Sequence, residues 1–366
     1  MKRYRLVVLS LLGVLILSGC SLGRYSGTGH VAWSLSPMGQ ELAYIRCDMK
    51  NSPCTIALYS FEFDKTVLYR NSTGAQWGLP DFSPDAKTLA FAVYETGTDI
   101  SHIATMSRDG TGYRIVTKEP GLRSMPSFSL DGKNLTYVCS AYLSKSYYTP
   151  YRGKTRRPQE TEICVLDIAS GKEKKITSLD AYTFGRPTFL PDGKHVLYYY
   201  EDGYRDPKTE EFKNEELNLV TNIDTLASTK VLTEIPNAHH TRLAGKGQRA
   251  VFSVMTNKMD ANDEDLHEID GVRVYGFNYD LFLWEGDDGI QNGNGAIRRL
   301  TKSRSYLSGF TLSMDGRKLA YAFDAWRKGE MKFFLMDLDN GETRPFFLPK
   351  RVDAWIETSL NPHPRH

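Results

Sequence analysis

The segment 142–160 combines residue types that proteins use to bind other molecules. Its aromatic and basic side chains include those of Tyr147, Tyr148, Tyr151, Arg152, Arg156 and Arg157. Tyr and Arg are enriched in interface hot spots, because they bury a large area at modest entropic cost and keep polar tips. We therefore predict that this segment contacts a protein or peptide partner. The alternative is a solvated loop whose tyrosines pack locally.

A second segment, 256–280, is acidic and could hold a cation. Its carboxylates include those of Asp260, Asp263 and Asp265, which could bind Ca²⁺ through their oxygen atoms. The segment lacks the glycine and the alternation of a recognised calcium loop, so a solvated acidic loop is the favoured interpretation. We accordingly expect no cofactor, with calcium at these three aspartates as the weaker alternative.

The sequence carries little that would identify an enzyme. It has no nucleophile elbow between a predicted strand and a helix, no H-E-x-x-H zinc motif, no P-loop and no dinucleotide fingerprint. A metal-dependent lyase would need several histidines that converge on one ion, and the whole chain has eight. We therefore expect a non-catalytic protein and assign no catalytic residue, with lyase or hydrolase activity kept as an alternative.

Six similar decapeptides recur along the chain, and each predicts a β-hairpin. They read LSPMGQELAY (35–44), FSPDAKTLAF (82–91), FSLDGKNLTY (128–137), FLPDGKHVLY (189–198), LAGKGQRAVF (243–252) and LSMDGRKLAY (312–321). Each begins with Leu or Phe, ends with an aromatic residue and has Gly in its turn, except for Ala86. Gly supplies the positive φ angle of a tight turn. We expect the turn at Ala86 to be strained or of a different type.

A second pattern lies between the copies and completes each repeat. An apolar strand, such as IALY (56–59) or FFLM (333–336), is followed by a polar turn and a further strand. Each repeat thus predicts four antiparallel strands, named A to D from the axis outwards, and the turn residues are 46 to 69 positions apart. Repeats of this size and content are typical of propeller blades. The predicted fold is all-β, a six-bladed β-propeller of four-stranded blades over residues 30–366.

The opening phrase of the repeat resembles that of the TolB-like propeller family. The segments PDFSPD (80–85), PSFS (126–129) and PTFLPDGK (187–194) carry the resemblance, which extends over almost the whole mature chain. It implies six blades but says little about function, because many unrelated exported proteins share the motif. TolB itself has an α/β domain ahead of its propeller. Here only about ten residues separate Cys20 from the first strand near His30, so that domain's partner contacts are not carried over.

The amino-terminal segment predicts export and lipidation. A basic start precedes an apolar run from Leu6 to Leu17, which is short for a membrane span, and Leu17-Ser18-Gly19-Cys20 resembles a bacterial lipobox. The resemblance implies a lipid on the Cys20 sulfur and an acylated amino terminus, which together anchor a chain stably. Ser21 is similar to the residue found in lipoproteins sorted to the outer membrane. We predict a signal peptide over 1–19, a lipidated tether over 20–29 and an envelope location facing the periplasm. A secreted protein without lipid is the alternative.

The charge balance argues against nucleic acid as a partner. Three of the 46 Lys and Arg residues belong to the signal peptide, so the mature chain, with 44 Asp and Glu, is close to neutral. No long-range field would attract nucleic acid or an anionic membrane surface. Membrane association is therefore expected through the lipid alone.

Four cysteines remain after Cys20 and predict two disulfides, each within one blade. Cys47 and Cys54 flank the B–C connection of blade 1, and Cys139 and Cys164 belong to strands B and C of blade 3. Neighbouring antiparallel strands bring Cα atoms to the distance that a disulfide needs. Four reduced thiols are the alternative.

The uneven loops indicate which face is functional. The B–C loops of blades 3, 4 and 5 are long (142–160, 201–216 and 256–280), whereas the A–B turns on the opposite face are short and uniform. Such long loops tend to be functional. We therefore predict a lipid-anchored, non-catalytic binding scaffold that engages a periplasmic or envelope protein or peptide through this face.

The mouth of the axial channel is the alternative site. The D–A junctions are expected to bring Trp77, Arg123, Arg186, His239 and His240 there, where they could receive a glycan or another small ligand. Adjacent residues of an extended segment point apart, which disfavours the two histidines as joint metal ligands.

Overall fold

The computed structural model describes residues 33–46, 54–71, 74–144, 147–149, 153–156, 158–179, 181, 183–205, 212–233, 238–256, 266–269, 272–275, 279–292, 294–303, 306–325, 330–348 and 354–357. Within these ranges the secondary structure consists of β-strands and one short 3-10 turn, Ile290–Asn292. None of the described helical structure is long or apolar enough to traverse a bilayer.

Blades 1 to 3 are antiparallel sheets whose strands follow one another outwards from the axis. Blade 1 holds β1 (Trp33–Leu35), β2 (Glu41–Arg46), β3 (Thr55–Ser60) and β4 (Lys65–Arg70). Blade 2 holds β5 (Gln76–Phe82), β6 (Thr88–Tyr94), β7 (Ser101–Ser107) and β8 (Arg114–Ile115). Blade 3 holds β9 (Leu122–Phe128), β10 (Asn134–Ser140), β15 (Glu162–Asp167) and β16 (Glu173–Lys175), with β11 (Tyr142–Leu143), β12 (Tyr147–Thr149), β13 (Gly153–Thr155) and β14 (Pro158–Gln159) inserted between β10 and β15.

Blades 4 to 6 follow the same plan. Blade 4 holds a divided inner strand, β17 (Thr183–Phe184) and β18 (Thr188–Phe189), then β19 (His195–Arg205), β20 (Phe212–Asn222) and β21 (Ser228–Val231). Blade 5 holds β22 (Ala238–Leu243), β23 (Arg249–Met255), β26 (Tyr279–Glu285) and β27 (Ala296–Arg299), with β24 (Leu266–Ile269) and β25 (Val272–Tyr275) inserted. Blade 6 holds β28 (Tyr306–Leu312), β29 (Lys318–Ala325), β30 (Glu330–Asp337) and β31 (Thr343–Phe346). The predicted six-bladed, all-β fold is confirmed.

One strand stands outside the repeat. β32 (Ala354–Glu357) follows blade 6 in the chain but pairs in parallel with β4, the outer strand of blade 1. The register places Ala354 opposite Val67 and Glu357 opposite Arg70. Blade 1 therefore contains both the first and the last strand described, and this pairing closes the ring.

The hydrophobic core is divided among the blade interfaces, because each sheet buries both of its faces against its neighbours. Six clusters of buried side chains each join two adjacent blades, including blades 6 and 1. The aromatic residue that ends each decapeptide is buried in one of them: Tyr44, Phe91, Tyr137, Tyr198, Phe252 and Tyr321. The same repeat position thus supplies one large side chain to every interface.

The six A–B turns share one backbone conformation. The turn glycines have φ values between 65° and 74°, and Ala86 has φ 59°. A Cβ atom is disfavoured in this left-handed region, so Ala86 keeps the common turn and carries strain that glycine would not. The expected strain is therefore present, and the turn is not of a different type.

The cysteines of blade 3 form a disulfide that links strands B and C. Cys139 and Cys164 have Cα atoms 5.9 Å apart. Cys139 lies opposite Glu162 and Cys164 lies opposite Tyr137, so the pair is diagonal and both side chains are on one face of the sheet. Cys54 is also disulfide-bonded. Cys47, its predicted partner, and Cys20 lie outside the described residues, so those two assignments stay predictions.

Candidate functional site

The B–C connections of blades 3, 4 and 5 enlarge one face of the propeller, here called the loop-expanded face. Blade 3 adds the paired strands β11–β14 and β12–β13, and blade 5 adds the hairpin β24–β25. In blade 4 the segment 201–216 was predicted as a loop, but its described residues, 201–205 and 212–216, continue the sheet: β19 and β20 pair from His195↔Asn222 to Arg205↔Phe212. The chain has no proline from 192 to 206, so nothing interrupts the ladder there.

The blade 3 insertion is fixed to blade 2 by an arginine. Arg156 Nη1 donates to Asp99 Oδ1 over 2.7 Å, Nη2 donates to Oδ2 over 2.5 Å, and Nε donates to the Ser144 carbonyl oxygen over 2.9 Å. Arg156 was a candidate for partner binding, and its guanidinium is instead engaged within the chain. The paired, two-pronged geometry positions the base of the insertion.

The other predicted interface residues are only partly described. Tyr147 and Tyr148 belong to β12, where they lie opposite Thr155 and Lys154 of β13. Tyr151, Arg152 and Arg157, together with the calcium candidates Asp260, Asp263 and Asp265, lie outside the described residues. In the described part of the chain, no group of three or more His, Cys, Asp or Glu residues is arranged to hold a metal ion.

A polar ring surrounds the propeller axis near the A–B turns. It is formed by the residue that precedes the first Leu or Phe of each decapeptide, and it is called the axial ring: Ser34, Asp81, Ser127, Thr188, Arg242 and Thr311. All six line one cavity of about 70 Å³, with A–B turn residues such as Pro37 and Met314 at its rim. This ring was not predicted, although its position in the repeat is polar in every copy.

Asp81 connects four blades through the axial ring. Ser34 Oγ of blade 1 donates to its Oδ1 over 2.9 Å, and the Phe128 backbone N–H of blade 3 donates to its Oδ2 over 3.1 Å. Arg186 of blade 4 reaches across the channel, with Nη1 3.4 Å from Asp81 Oδ1 and 3.1 Å from the Pro80 carbonyl oxygen. Burial raises the pKa of the Asp81 carboxyl, and Arg186 opposes that rise. Burial likewise lowers the pKa of Arg186.

The inner strands carry β-bulges that change which side chains face the axis. The register of the A–B pairing shifts around Leu79 in blade 2, Met125 in blade 3 and His240 in blade 5, and these three residues have φ between 51° and 55°. A bulge inserts one residue and reverses the alternation of faces beyond it. Side chains between the bulge and the D–A connection therefore point to the sheet face opposite to the one expected for a regular strand.

Among the five predicted channel-mouth residues, the structure places Trp77 and Arg123 between blades. The Trp77 side chain is 1% exposed and stacks on Tyr113. Arg123 is buried, and its Nη2 lies 3.1 Å from Glu173 Oε1. Both residues lie beyond a bulge, which turns them from the axis towards the neighbouring sheet. These two placements correct the prediction that they line the channel mouth.

The remaining three candidates occupy different environments. Arg186 lines the axial cavity beside Asp81, and its predicted role at the channel mouth stays a prediction. His240 takes the corresponding position in blade 5, where the residue is exposed. His239 is buried, its Nδ1 2.9 Å from the Tyr199 hydroxyl and its Nε2 3.3 Å from Glu216 Oε2. The rings of the two histidines both lie beside Tyr199, with centroids 5.4 Å and 5.1 Å from its ring, and are 6.3 Å from each other.

Two glutamates of the long blade 4 hairpin face one another beside His239. Glu201 of β19 and Glu216 of β20 are directly paired in the register. Burial raises the pKa of Glu201 to about 7, and the negative charge of Glu216 adds to the rise. A carboxyl with a raised pKa thus lies at the base of the loop-expanded face.

Comparison with known proteins agrees with this architecture. No family model matches the sequence. The uncharacterized peptidase YuxL of Bacillus subtilis is 26% identical over 192 residues, which are 44% of this chain and 28% of YuxL. This chain thus covers little more than a quarter of that protein.

Solved propeller structures are similar over most of the chain. TolB from Acinetobacter baumannii superimposes with a TM-score of 0.58 at 16% identity, over 88% of this chain and 68% of TolB. A manganese complex of oligogalacturonate lyase gives 0.53 at 13% identity, over 86% and 77% of the two chains. A putative TolB from Agrobacterium tumefaciens gives 0.50 at 18% identity, over 88% and 91%. The chain has the six-bladed propeller fold of TolB and TolB-like proteins.

Proposed function

We propose that this protein is a lipid-anchored, non-catalytic scaffold of the bacterial envelope that binds a protein or peptide partner through its loop-expanded face. The observation that carries the proposal is the extension of three consecutive B–C connections, in blades 3, 4 and 5, on the same side of the ring. The A–B turns on the other side keep one conformation in all six blades. The differences in sequence and length among the six blades are therefore concentrated on the face where a partner could be contacted.

The construction of the insertions supports a binding surface. Paired strands present side chains at fixed spacing and lose less entropy on binding than a free loop would. The Arg156–Asp99 contact and the Cys139–Cys164 disulfide both lie at the base of the blade 3 insertion. They support the β12–β13 hairpin, which carries Tyr147 and Tyr148.

Site-specific crosslinking in cells tests the proposed surface. We would place a photoreactive amino acid at Tyr148 of the full-length protein and, as a matched control, at Phe63. Phe63 is 64% exposed in the turn between β3 and β4, on the face opposite to the loop-expanded face. We expect a discrete crosslinked protein from position 148 and none from position 63. Equal products from both positions, or none from 148, would refute this surface.

The anchoring part of the proposal has its own test. Cys20→Ser should abolish lipid labelling and move the protein from the membrane fraction to the soluble periplasmic fraction. The Cys54→Ser variant serves as a control that alters a cysteine of the propeller. Retention of Cys20→Ser in the membrane fraction would contradict lipid anchoring and leave the crosslinking test intact.

A further inference from the structure

The axial cavity contains more positive than negative charge. Its charged lining residues are Asp81, Arg186 and Arg242. Asp81 and Arg186 form an ion pair, so the Arg242 charge is left over. A buried surplus charge is unfavourable unless a counter-ion or hydrogen-bond acceptors compensate it.

Arg242 has few contacts of its own. Within the described residues, its guanidinium makes one hydrogen bond, from Nη1 to the Thr241 carbonyl oxygen over 3.2 Å, and its Cζ lies 5.8 Å from the centre of the Phe310 ring. A guanidinium has five N–H donors. Burial and the nearby Arg186 lower the pKa of Arg242 to about 9, and the negative charge of Asp81 opposes that lowering. Its side chain remains partly exposed to the cavity.

The walls of the cavity define what could compensate this charge. In the axial ring, Thr188 and Thr311 are the neighbours of Arg242 on either side, and Ser127 comes next after Thr188, so three hydroxyl groups line this cavity. The rest of the wall is largely apolar and includes Phe82, Phe128, Phe189, Leu35, Leu243 and Leu312. A volume of about 70 Å³ exceeds what one water molecule needs and would admit a small group.

We propose that the axial cavity is a carboxylate-binding site in which Arg242 holds the anion and the hydroxyls of Ser127 and Thr188 donate to it. A single surplus charge matches a monoanion better than a phosphate dianion. A guanidinium binds carboxylate through two parallel hydrogen bonds, and the apolar wall suits a short hydrocarbon stem. The carboxylate belongs to a small organic acid or to the carboxy terminus of a peptide. The cavity lies at the A–B turns, so this site is independent of the loop-expanded face.

Calorimetric titration of the full-length protein in detergent, at constant ionic strength, tests the site. The probes are sodium butyrate, acetyl-trialanine with a free carboxylate, and the same peptide as its carboxamide. The proteins are the wild type, Arg242→Gln, Arg242→Lys and, as a control in the same blade, Arg298→Gln, whose side chain is 51% exposed. Thermal unfolding would verify that each variant folds.

We expect one butyrate or free-acid peptide to bind per chain, and the carboxamide not to bind. Arg242→Gln should weaken binding about 10- to 100-fold, as for a lost hydrogen bond to a charged group. Arg298→Gln should bind like the wild type. Arg242→Lys keeps the charge without the planar pair of donors, so its loss should be intermediate. Binding of butyrate alone would identify small acids as the ligands, and binding of the peptide alone would identify carboxy termini. Failure of both carboxylates to bind the wild type, or unchanged binding by Arg242→Gln and Arg242→Lys, would overturn the proposal.

Discussion

The two faces of this propeller are built under different constraints. The side of the ring that holds the six A–B turns is here called the turn face. Its A–B turns contact one another through the backbone: Asp315 N–H donates to the Pro37 carbonyl oxygen, and Gly245 N–H donates to the Met314 carbonyl oxygen. On the loop-expanded face, blades 2 and 3 are linked by the side chains of Arg156 and Asp99, both of which are partly exposed. Backbone contacts between close turns tolerate little change in length. Contacts between exposed side chains contribute little to folding stability. The connections that they join can therefore vary in sequence and length.

The two faces contribute differently to the stability of the propeller. The turn face and the axial ring hold the blades together through buried polar contacts. The loop-expanded face adds strands to blades that are already complete. Substitutions on the two sides should therefore differ in the size and the kind of their effects on stability, and four changes would test this.

The largest effect is expected for Arg186→Met, which leaves the Asp81 carboxylate buried without its cation. Removal of one partner of a buried ion pair costs about 3–5 kcal/mol of unfolding free energy. Urea denaturation would measure it, with Arg298→Met as an exposed control that should change by less than about 0.5 kcal/mol. Addition of Asp81→Asn should restore part of the loss. A loss below about 1 kcal/mol would show that the axial ring does not hold the blades as argued.

The second effect concerns the base of the blade 3 insertion. Replacing both Cys139 and Cys164 by Ala should reduce the unfolding free energy by about 3 kcal/mol, since the disulfide closes a loop over a separation of 25 residues. Urea denaturation without reductant would measure it. The same variant should lose less in the presence of a reductant, which also opens the disulfide of the wild type. An unchanged midpoint in both conditions would mean that strand pairing alone secures the insertion.

The third effect is a pH dependence of the blade 4 hairpin. The pKa of Glu201 is raised from 4.5 to about 7, so the folded state binds a proton more tightly than the unfolded state does. Stability from this group is therefore present below about pH 4.5 and is lost as the pH rises through 7.

Glu201→Gln should remove this dependence and, at pH 8, raise the unfolding free energy by on the order of 1–2 kcal/mol, because the neutral amide avoids both the desolvation of a buried carboxylate and its repulsion with Glu216. Thermal unfolding across pH 5 to 8 would measure the slope. The exposed Glu119→Gln should leave the slope as in the wild type. If Glu201→Gln and the wild type show the same slope of stability against pH, the group that titrates near pH 7 is not Glu201.

The smallest effect is expected on the turn face. Ala86→Gly should stabilise the protein by about 1 kcal/mol or less, since it relieves a Cβ atom at φ 59°. The reverse change, Gly193→Ala, adds a Cβ at φ 65° with no atom within 4 Å, so its cost of about 1 kcal/mol would report backbone strain alone. Thermal unfolding would measure both. A stabilising Gly193→Ala would contradict a common turn constraint.

The repeat register made most of the fold predictable. Each copy contains the same three features: a turn residue with positive φ, an aromatic residue five positions later and a polar turn between apolar strands. Each feature has a single structural reason. β32 was not predicted, because its parallel pairing with β4 joins distant parts of the chain and does not follow the repeat. The extension of the blade 4 hairpin was missed because polar residues such as Glu201 and Glu216 were interpreted as a loop.

The site was less predictable, and the bulges explain why. Simple alternation from Asp81 would place Trp77 on the axis, and the extra residue at Leu79 turns it to the blade interface instead. The same holds for Arg123 and Met125. Nothing in a single sequence marks a bulge at these residues. The axial ring, in contrast, was visible in the alignment of copies as a position that is always polar.

The strand that closes the ring also protects the periphery of the molecule. Outer strands present unpaired backbone groups to which another chain can add, and proteins limit this hazard by keeping such strands short or covered. In blades 2 to 6 the outer strands have only two to four residues. β4 has six, and it is the one that β32 covers. Truncation before residue 354 would therefore expose the longest free edge of the propeller and invite aggregation through strand addition at blade 1.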